Sequence, residues 1–542
     1  MSKFRKSCLV LVSALIIVGC QTAEKQTAEP KQVDLDTTVG DLARFPIFEM
    51  VSLRGYGIVA GLYGTGSAEC PPTLRKQLEK YIWQQLPEGS KLNPKQFIES
   101  LDTAVVEIDA LLPALALAGE RFDIRLKPIS KTQTTSLGGG SLYTTELKET
   151  SRFTAFDTYA KTIATANGPV LTLAADSQKY CVLGGGQAQK SAPISLLLIE
   201  PNFRTAAVIR NRINERFGPG TANAVSNAQI QISFPTAYRN NKTKFLRLIL
   251  ALYLSEQDQQ KNRRIDELIG QLQTESDKLP VEIALEAIGR PVLDKLNNLL
   301  EHDNPDVRFS AARTMLNVGD KRALKVMQKV ISDPQSPFRL QAVDAVGQNA
   351  GNRDVAVLLA PLLDEKQLDV RLAAYEQLIA LNSHLIKRTN VANSFFLDRV
   401  LCGGPKTIYV YRKDCPKVIL FGSPIYCEKG KDIFVESETG DITINARPGD
   451  KYVSVIRRHP NRPKVIGPLS AGYELGEVIL TLCQDAETER SVNPRPGLGI
   501  AYSQLIELLE KMCRSQAVIA EFISGPVSGT LSLPEEPEEM KK

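Results

Sequence analysis

"RGYGIVAGLYGTG", residues 54–66, places Gly55, Gly57, Gly61, Gly64 and Gly66 within thirteen positions. A phosphate-binding loop uses such glycines to bring backbone amides against a ligand. A structural segment uses them for positive φ and for close approach between packed elements. The flanking residues decide between the two. A dinucleotide loop follows a buried apolar strand and opens a helix, with an acid about 20 residues on. Here the lead-in "FEMVSLR" carries Glu49 and Arg54, and in "SAECPP" Pro71 and Pro72 delay any helix. A P-loop needs Lys and then Ser or Thr after its last glycine, but Ser67 and Ala68 follow Gly66. The five glycines are therefore read as structural, shaping a core turn or a subunit contact and binding no nucleotide.

Working outward, "TAVVEID" (103–109) and "RFDIRLKP" (121–128) alternate as strands do, and "SLGGGSLYTTEL" (136–147) reads as a glycine turn entering another strand. Ala206, Ile209, Ile213 and Phe217 form a helical stripe, closed by Gly218. "NAQIQISFP" (227–235) returns to alternation. Residues 42–254 are expected to be an α+β region.

The pattern then changes. "PDVRFSAARTML", "SPFRLQAVDAVG" and "LDVRLAAYEQLI" align on Arg308, Arg339 and Arg371, at intervals of 31 and 32 residues. Ala311, Ala312, Ala342, Ala373 and Ala374 follow where helices could pack closely. A period of this length with paired helices marks an α-solenoid and resembles short HEAT repeats. The repeats are assigned to 255–390 and expected to be a removable insert. Residues 391–528 are again mixed. "KTIYVYR", "KVILFG", "DIFVES" and "YVSVIRR" are strand-like, "YSQLIELLEKMC" is an amphipathic helix and "AVIAEFI" a closing strand. Residues 529–542, with "LPEEPEEMKK", read as a disordered tail.

At the N-terminus a basic "MSKFRKS" precedes an apolar "CLVLVSALIIV", too short to span a bilayer. Gly19 directly before Cys20 resembles a bacterial lipobox, making 1–19 a lipoprotein signal and Cys20 the acylated residue. Gln21 follows instead of an inner-membrane-retaining Asp, so the expected location is the periplasm, anchored to the outer membrane. Residues 20–41 are polar and read as a flexible tether.

Net charge is +5 over 542 residues, and loss of Lys3, Arg5 and Lys6 with the leader lowers it to +2. That balance implies no nucleic-acid partner. His302, His384 and His459 are far apart, no H-E-x-x-H or G-x-S-x-G occurs, and no two cysteines form C-x-x-C. No enzyme activity, metal or cofactor is expected. Of the seven cysteines beyond Cys20, the closely spaced Cys402, Cys415 and Cys427 are the candidates for a disulfide in an oxidising compartment.

Several segments together resemble one family. "GYGIVAGLYGTG" is similar to the GYG-x-V-x-GL-x-GTG signature of the bacterial flagellar P-ring proteins. "TAVVEIDALLPALALAGERFDIRL", "SLGGGSLYTTELK" and "EPNFRTAAVIRNRINERFG" resemble the family's next three motifs, in order; "ESETGDITI" and "LIELLEKMCRSQAVIAEFI" resemble its C-terminal part more loosely. The resemblance implies a mixed α+β domain split by a HEAT-like solenoid, and a non-enzymatic subunit of a homo-oligomeric ring. It implies the flagellar rod, L-ring proteins and peptidoglycan as neighbours, and a role in motility at the basal body. The repeats imply a further protein partner, and the lipid anchor the only membrane contact. Typical members carry a plain cleavable signal and no repeats. The alternative reading is therefore a lipid-anchored periplasmic scaffold or adaptor of a non-flagellar envelope complex. Metabolic labelling with a fatty-acid analogue is expected to mark the wild type in the outer-membrane fraction and not Cys20→Ser; equal labelling of both excludes acylation at this residue.

Overall fold

The computed structural model describes residues 37–86, 93–150, 161–172, 179–255, 257–458, 465–484 and 497–527. Cys20, the leader, most of the tether and the 529–542 tail lie outside them. Ordered structure begins earlier than 42. Asp41 reaches back to Thr38, accepting from its amide (2.8 Å) and hydroxyl (2.6 Å), and thereby caps the turn Val39–Leu42. Val39 is fully buried, and its amide donates to Leu252 O. The tether reading of 37–41 missed this small Thr-x-x-Asp box.

Six antiparallel strands close on themselves. Val51–Ala60 pairs with Thr103–Leu112 and Ser141–Glu149, Thr103–Leu112 with Arg121–Pro128, and Arg121–Pro128 with Tyr180–Ala188. Thr162–Pro169 joins Tyr180–Ala188 back to Ser141–Glu149, so none of the six is an edge strand. Leu53, Ile108, Ile124, Leu126, Leu147 and Val182 fill the interior. Outside, helix Pro72–Gln85 lays Leu74, Leu78 and Ile82 over Ile58 and Val105. "YCVLGGGQA" (180–188) is buried on both faces, because Cys181 and Leu183 pack into the C-terminal core.

A small antiparallel sheet, Ala43–Arg44, Ile194–Leu198, Gln229–Ile232 and Ala222–Ala224, lies beside the barrel in the chain. Helix Phe203–Phe217 buries Ala206, Ile209 and Ile213 on it. The same core takes in Ile283 and Ala287 from the repeats.

The helical stretch runs from Asp258 to Ala380. Its second helices, Leu279–Ile288, Pro305–Val318, Arg339–Asn349 and Leu368–Ala380, lie side by side. The sequence period reappears as a hydrogen-bond ladder between them. Arg313 donates to both oxygens of Glu282 (2.7 and 2.8 Å), Asn317 to Glu286 (2.9 Å), and Asn349 to Asn317 (2.9 Å). The repeated arginines have a physical use too. Arg308 donates to His302 O and Asp303 O, and Arg339 to Ile331 O, meeting carbonyls left over where the preceding helix ends. Arg371 breaks the pattern and reaches out of the stack, to Pro405 O (2.8 Å) and Thr407 Oγ1 (3.1 Å).

Those acceptors belong to a five-stranded sheet in the order Ile386–Val391, Phe395–Leu401, Lys417–Ser423, Thr407–Arg412, Glu521–Val527. Its first strand opens at Ile386, so strand structure starts before 391. One face, with Val400, Ile419 and Phe421, packs on Tyr375 and Leu378 of the last repeat. The other packs on a second, four-stranded sheet and on helices Leu475–Cys483 and Tyr502–Arg514. The solenoid thus shares a core with both flanks, contrary to a cleanly removable insert: excising 265–390 bares an apolar sheet face.

The seam is fixed by Asp398, whose side chain is fully buried. Arg388 binds it through two nitrogens (2.8 and 2.7 Å), and the Tyr375 hydroxyl donates to it. Burial, and then the Asp398 charge, push the Tyr375 hydroxyl pKa up, so it stays a donor. Removing one partner of such a set strands the others. Asp398→Ala is expected to cost about 3–5 kcal/mol, read as a lower urea midpoint; a midpoint within error of wild type would show that the set is not a structural anchor.

Candidate functional site

The glycine segment is half strand and half loop. Gly55 and Gly57 lie inside strand Val51–Ala60, where the ladder to Ser141–Glu149 is irregular between Arg54 and Val59. A Cβ on Gly55 would stand 2.6 Å from Glu146 O and 2.8 Å from Leu147 Cδ2. One on Gly57 would strike Thr145 Oγ1 and lie 3.2 Å from Ile108 Cδ1. Only missing side chains let the two strands approach this closely. Gly61 (φ 83°) and Gly64 (φ 94°) turn the chain out of the barrel, and Gly66 passes so near Leu101 O that a Cβ would come within 2.7 Å.

The loop's amides point inward. Leu62 N donates to Asp102 O (3.0 Å), Thr65 N to Leu62 O (3.2 Å), Gly66 N to Leu101 O (2.9 Å) and Ser67 N to Thr103 O (2.8 Å). Thr65 O accepts from Thr135 N (2.9 Å), and Thr65 Oγ1 donates to Ser136 O (2.9 Å). A phosphate cradle needs such amides free and aimed at the ligand; these hold together residues 62–67, 101–103 and 135–136. Toward the other end of strand Val51–Ala60, Arg54 Nε lies 2.9 Å from both Glu107 and Asp109. Burial pulls its pKa down, but the two carboxylates outweigh that and hold it above the ordinary value. The cation is already matched.

A second contact was not read from the sequence. Asp123, 4% exposed, accepts from Gly184 N (2.7 Å) and from Asp414 N (3.1 Å), tying the barrel to a turn of the C-terminal sheet. Gly184 has φ 57° and would drive a Cβ into Asp414 O. The available signal was the triple glycine at 184–186; Asp123 itself falls in the polar register of "RFDIRL" with Arg121 and Arg125, where nothing local marks it for burial.

The candidate cysteines are all free thiols here. Cys415 precedes, and Cys402 follows, the paired run from Phe396–Lys417 to Leu401–Ser423, so they sit at opposite ends of adjacent parallel strands. That separates them by about 20 Å of strand, far beyond disulfide reach. Cys427 is buried in the C-terminal core, which pushes its thiol up to about 12. Closeness in sequence misled because a strand stretches its residues apart. His459 lies outside the described residues. Among those described, no three His, Cys, Asp or Glu side chains converge as metal ligands, and no helix is long and apolar enough to cross a membrane.

A closed barrel with an internally bonded glycine loop, joined to a helical repeat stack, defines a scaffold assembled from structural parts. The flagellar P-ring protein family model matches residues 38–186 and 182–272, and HEAT repeats match 293–379. The chain is 26% identical over 348 residues to the flagellar P-ring protein of Anaeromyxobacter sp. (strain K), covering 60% of this chain and 89% of that one. It is 29% identical over 266 residues to that of Hydrogenovibrio crunogenus, and 30% over 205 residues to that of Aquifex aeolicus. Those alignments cover 45% and 34% of this chain, and 65% and 53% of the relatives. The resemblances to flagellar P-ring proteins and to HEAT repeats both stand, in adjoining parts of one chain.

Gly57→Val overfills the strand contact and is expected to cost about 1–3 kcal/mol, while the purified wild type takes up neither ATP nor GTP by calorimetry. Unchanged thermal stability of the variant, or saturable micromolar nucleotide binding, would overturn the structural reading of these glycines.

Proposed function

We propose that this protein is a non-enzymatic ring subunit of the flagellar basal body, assembling with copies of itself around the rod in the periplasm. The observation that carries the reading is the P-ring family match over 38–186 and 182–272, the region that contains the whole barrel and its glycine segment. A ring of identical subunits needs a rigid protomer whose two contact surfaces keep a fixed angle. The barrel supports this, since each of its six strands is paired on both sides. L-ring proteins and peptidoglycan are the neighbours this reading assigns, and Cys20 anchors the subunit to the outer membrane. The repeats favour a second reading, an anchored scaffold of another envelope machine, because their HEAT match, 293–379, is to a different family and lies outside the P-ring match.

Purified basal bodies from cells carrying a tagged copy separate the two. The tag is expected as a ring at the periplasmic level of the rod, and deletion of the gene is expected to leave rods without that ring and cells that do not swim. Normal basal bodies in the deletion strain, with the tag elsewhere in the envelope, would replace the first reading by the second.

A further inference from the structure

The side-by-side second helices of the repeats leave a hollow where they begin. It encloses about 390 Å³ between the 276–279 turn and the first turns of helices Pro305–Val318 and Arg339–Asn349, a volume within the range of small binding sites. Phe309 and Phe338 stack in it at 4.7 Å with their planes 13° apart. The Arg313 guanidinium lies over Phe309 at 4.9 Å, and Leu279 on the rim is 43% exposed.

The charge around this apolar patch is unbalanced. Arg313 is committed to Glu282 through two hydrogen bonds and to Gln341 through a third (2.8 Å). Lys278 is turned away to Glu275 O (2.8 Å). Asp277 and Asp306 remain on the lining, neither in an ion pair among the described residues. One repeat beyond Arg313 the row continues with Asp344, which among the described residues is met only by a long contact from Gln377 (3.5 Å), and then with Glu376, which accepts from the Tyr411 hydroxyl (2.6 Å).

We propose that this face of the repeats is a docking groove for a basic peptide segment of another envelope protein, with one large apolar or aromatic side chain seated on Leu279 and Phe338 and flanking lysines or arginines on Asp306 and Asp344. The occupant's charge follows from the unmatched carboxylates, and its anchor from the accessible Leu279 and the half-buried Phe338, which lies on the buried Phe309. The partner's being an envelope protein rests on the periplasmic reading above; the groove's chemistry does not.

The test uses the purified full chain and a fluorescein-labelled lysine–phenylalanine–lysine–glycine–lysine peptide, followed by anisotropy at low salt. It is expected to bind about tenfold or more tighter than its glutamate counterpart, and to weaken when its phenylalanine is replaced by alanine. Asp306→Lys with Asp344→Lys, both on exposed positions, is expected to reduce binding by at least that factor with an unchanged melting temperature. Glu510→Lys, on the distant helix Tyr502–Arg514, is expected to leave it intact. Equal binding of both peptides, a preference for the acidic one, or equal loss in Glu510→Lys would overturn the proposal. None of these outcomes depends on whether the protein forms a flagellar ring.

Discussion

Arg371 is 1% exposed, has no carboxylate in ion-pair range among the described residues, and sits on the last helix of a repeat array. Burial pulls its pKa down, although a guanidinium remains charged. A buried cation without an anion must be held by hydrogen bonds and polarizable surface. Pro405 O and Thr407 Oγ1 supply the bonds, and the Phe421 ring supplies the surface, 5.2 Å from the guanidinium carbon. Thr407 and Phe421 belong to the C-terminal sheet, and Pro405 to the turn that enters its Thr407–Arg412 strand. The array therefore cannot end in solvent after Ala380; it ends against that sheet, with Asp398 and its partners close by.

From this junction the chain closes on itself. The C-terminal sheet meets the barrel where Asp123 accepts from Asp414 N. The barrel side meets a second helix of the small sheet's core, Lys242–Leu250, through Lys242, which binds Glu120 (2.5 Å) and Leu115 O (2.8 Å). That helix and its neighbour hold the first repeat: Lys244 pairs with Glu286 (2.9 Å), and Arg216 donates to Ala287 O (3.1 Å) and Glu286 O (2.8 Å). Four units thus make four contacts in a circuit. In an open chain of domains one weak junction permits hinging; in a circuit the others resist it. Such resistance suits a subunit that must hold a constant angle to its neighbours.

Much of this was readable where a residue's role is set locally. The Ala206, Ile209 and Ile213 stripe, the strands at 103–109, 121–128 and 417–422, and the period through Arg308, Arg339 and Arg371 all depend on side chains a few residues apart. What escaped depends on partners far along the chain. Gly55 and Gly57 look like a loop until Glu146 and Thr145 are known to cross them. Arg371 looks like Arg339 until a sheet arrives beside it. Cys402 and Cys415 look adjacent until the strands between them are drawn out. "IKRTNV" (386–391) falls almost wholly within the assigned repeats, because nothing local announces that Arg388 will pair with a buried Asp398 on the next strand.

The same dependence explains why the glycine segment resists a catalytic reading more firmly in three dimensions than in sequence. Five glycines could supply many free amides. Here close packing consumes them: the space Gly55 and Gly57 leave is filled by another strand, and the amides from Leu62 to Ser67 that bond inward stabilise the turn they form. The amides of Leu62, Thr65, Gly66 and Ser67 are thereby spent on the protein's own carbonyls and are not aimed together at an anion. What it offers instead is precision of fit, since a methyl group at Gly55 or Gly66 would press on backbone carbonyls that cannot rotate aside. A motif of that kind specifies the shape of the chain, which for the ring subunit proposed above is the quantity that assembly would depend on.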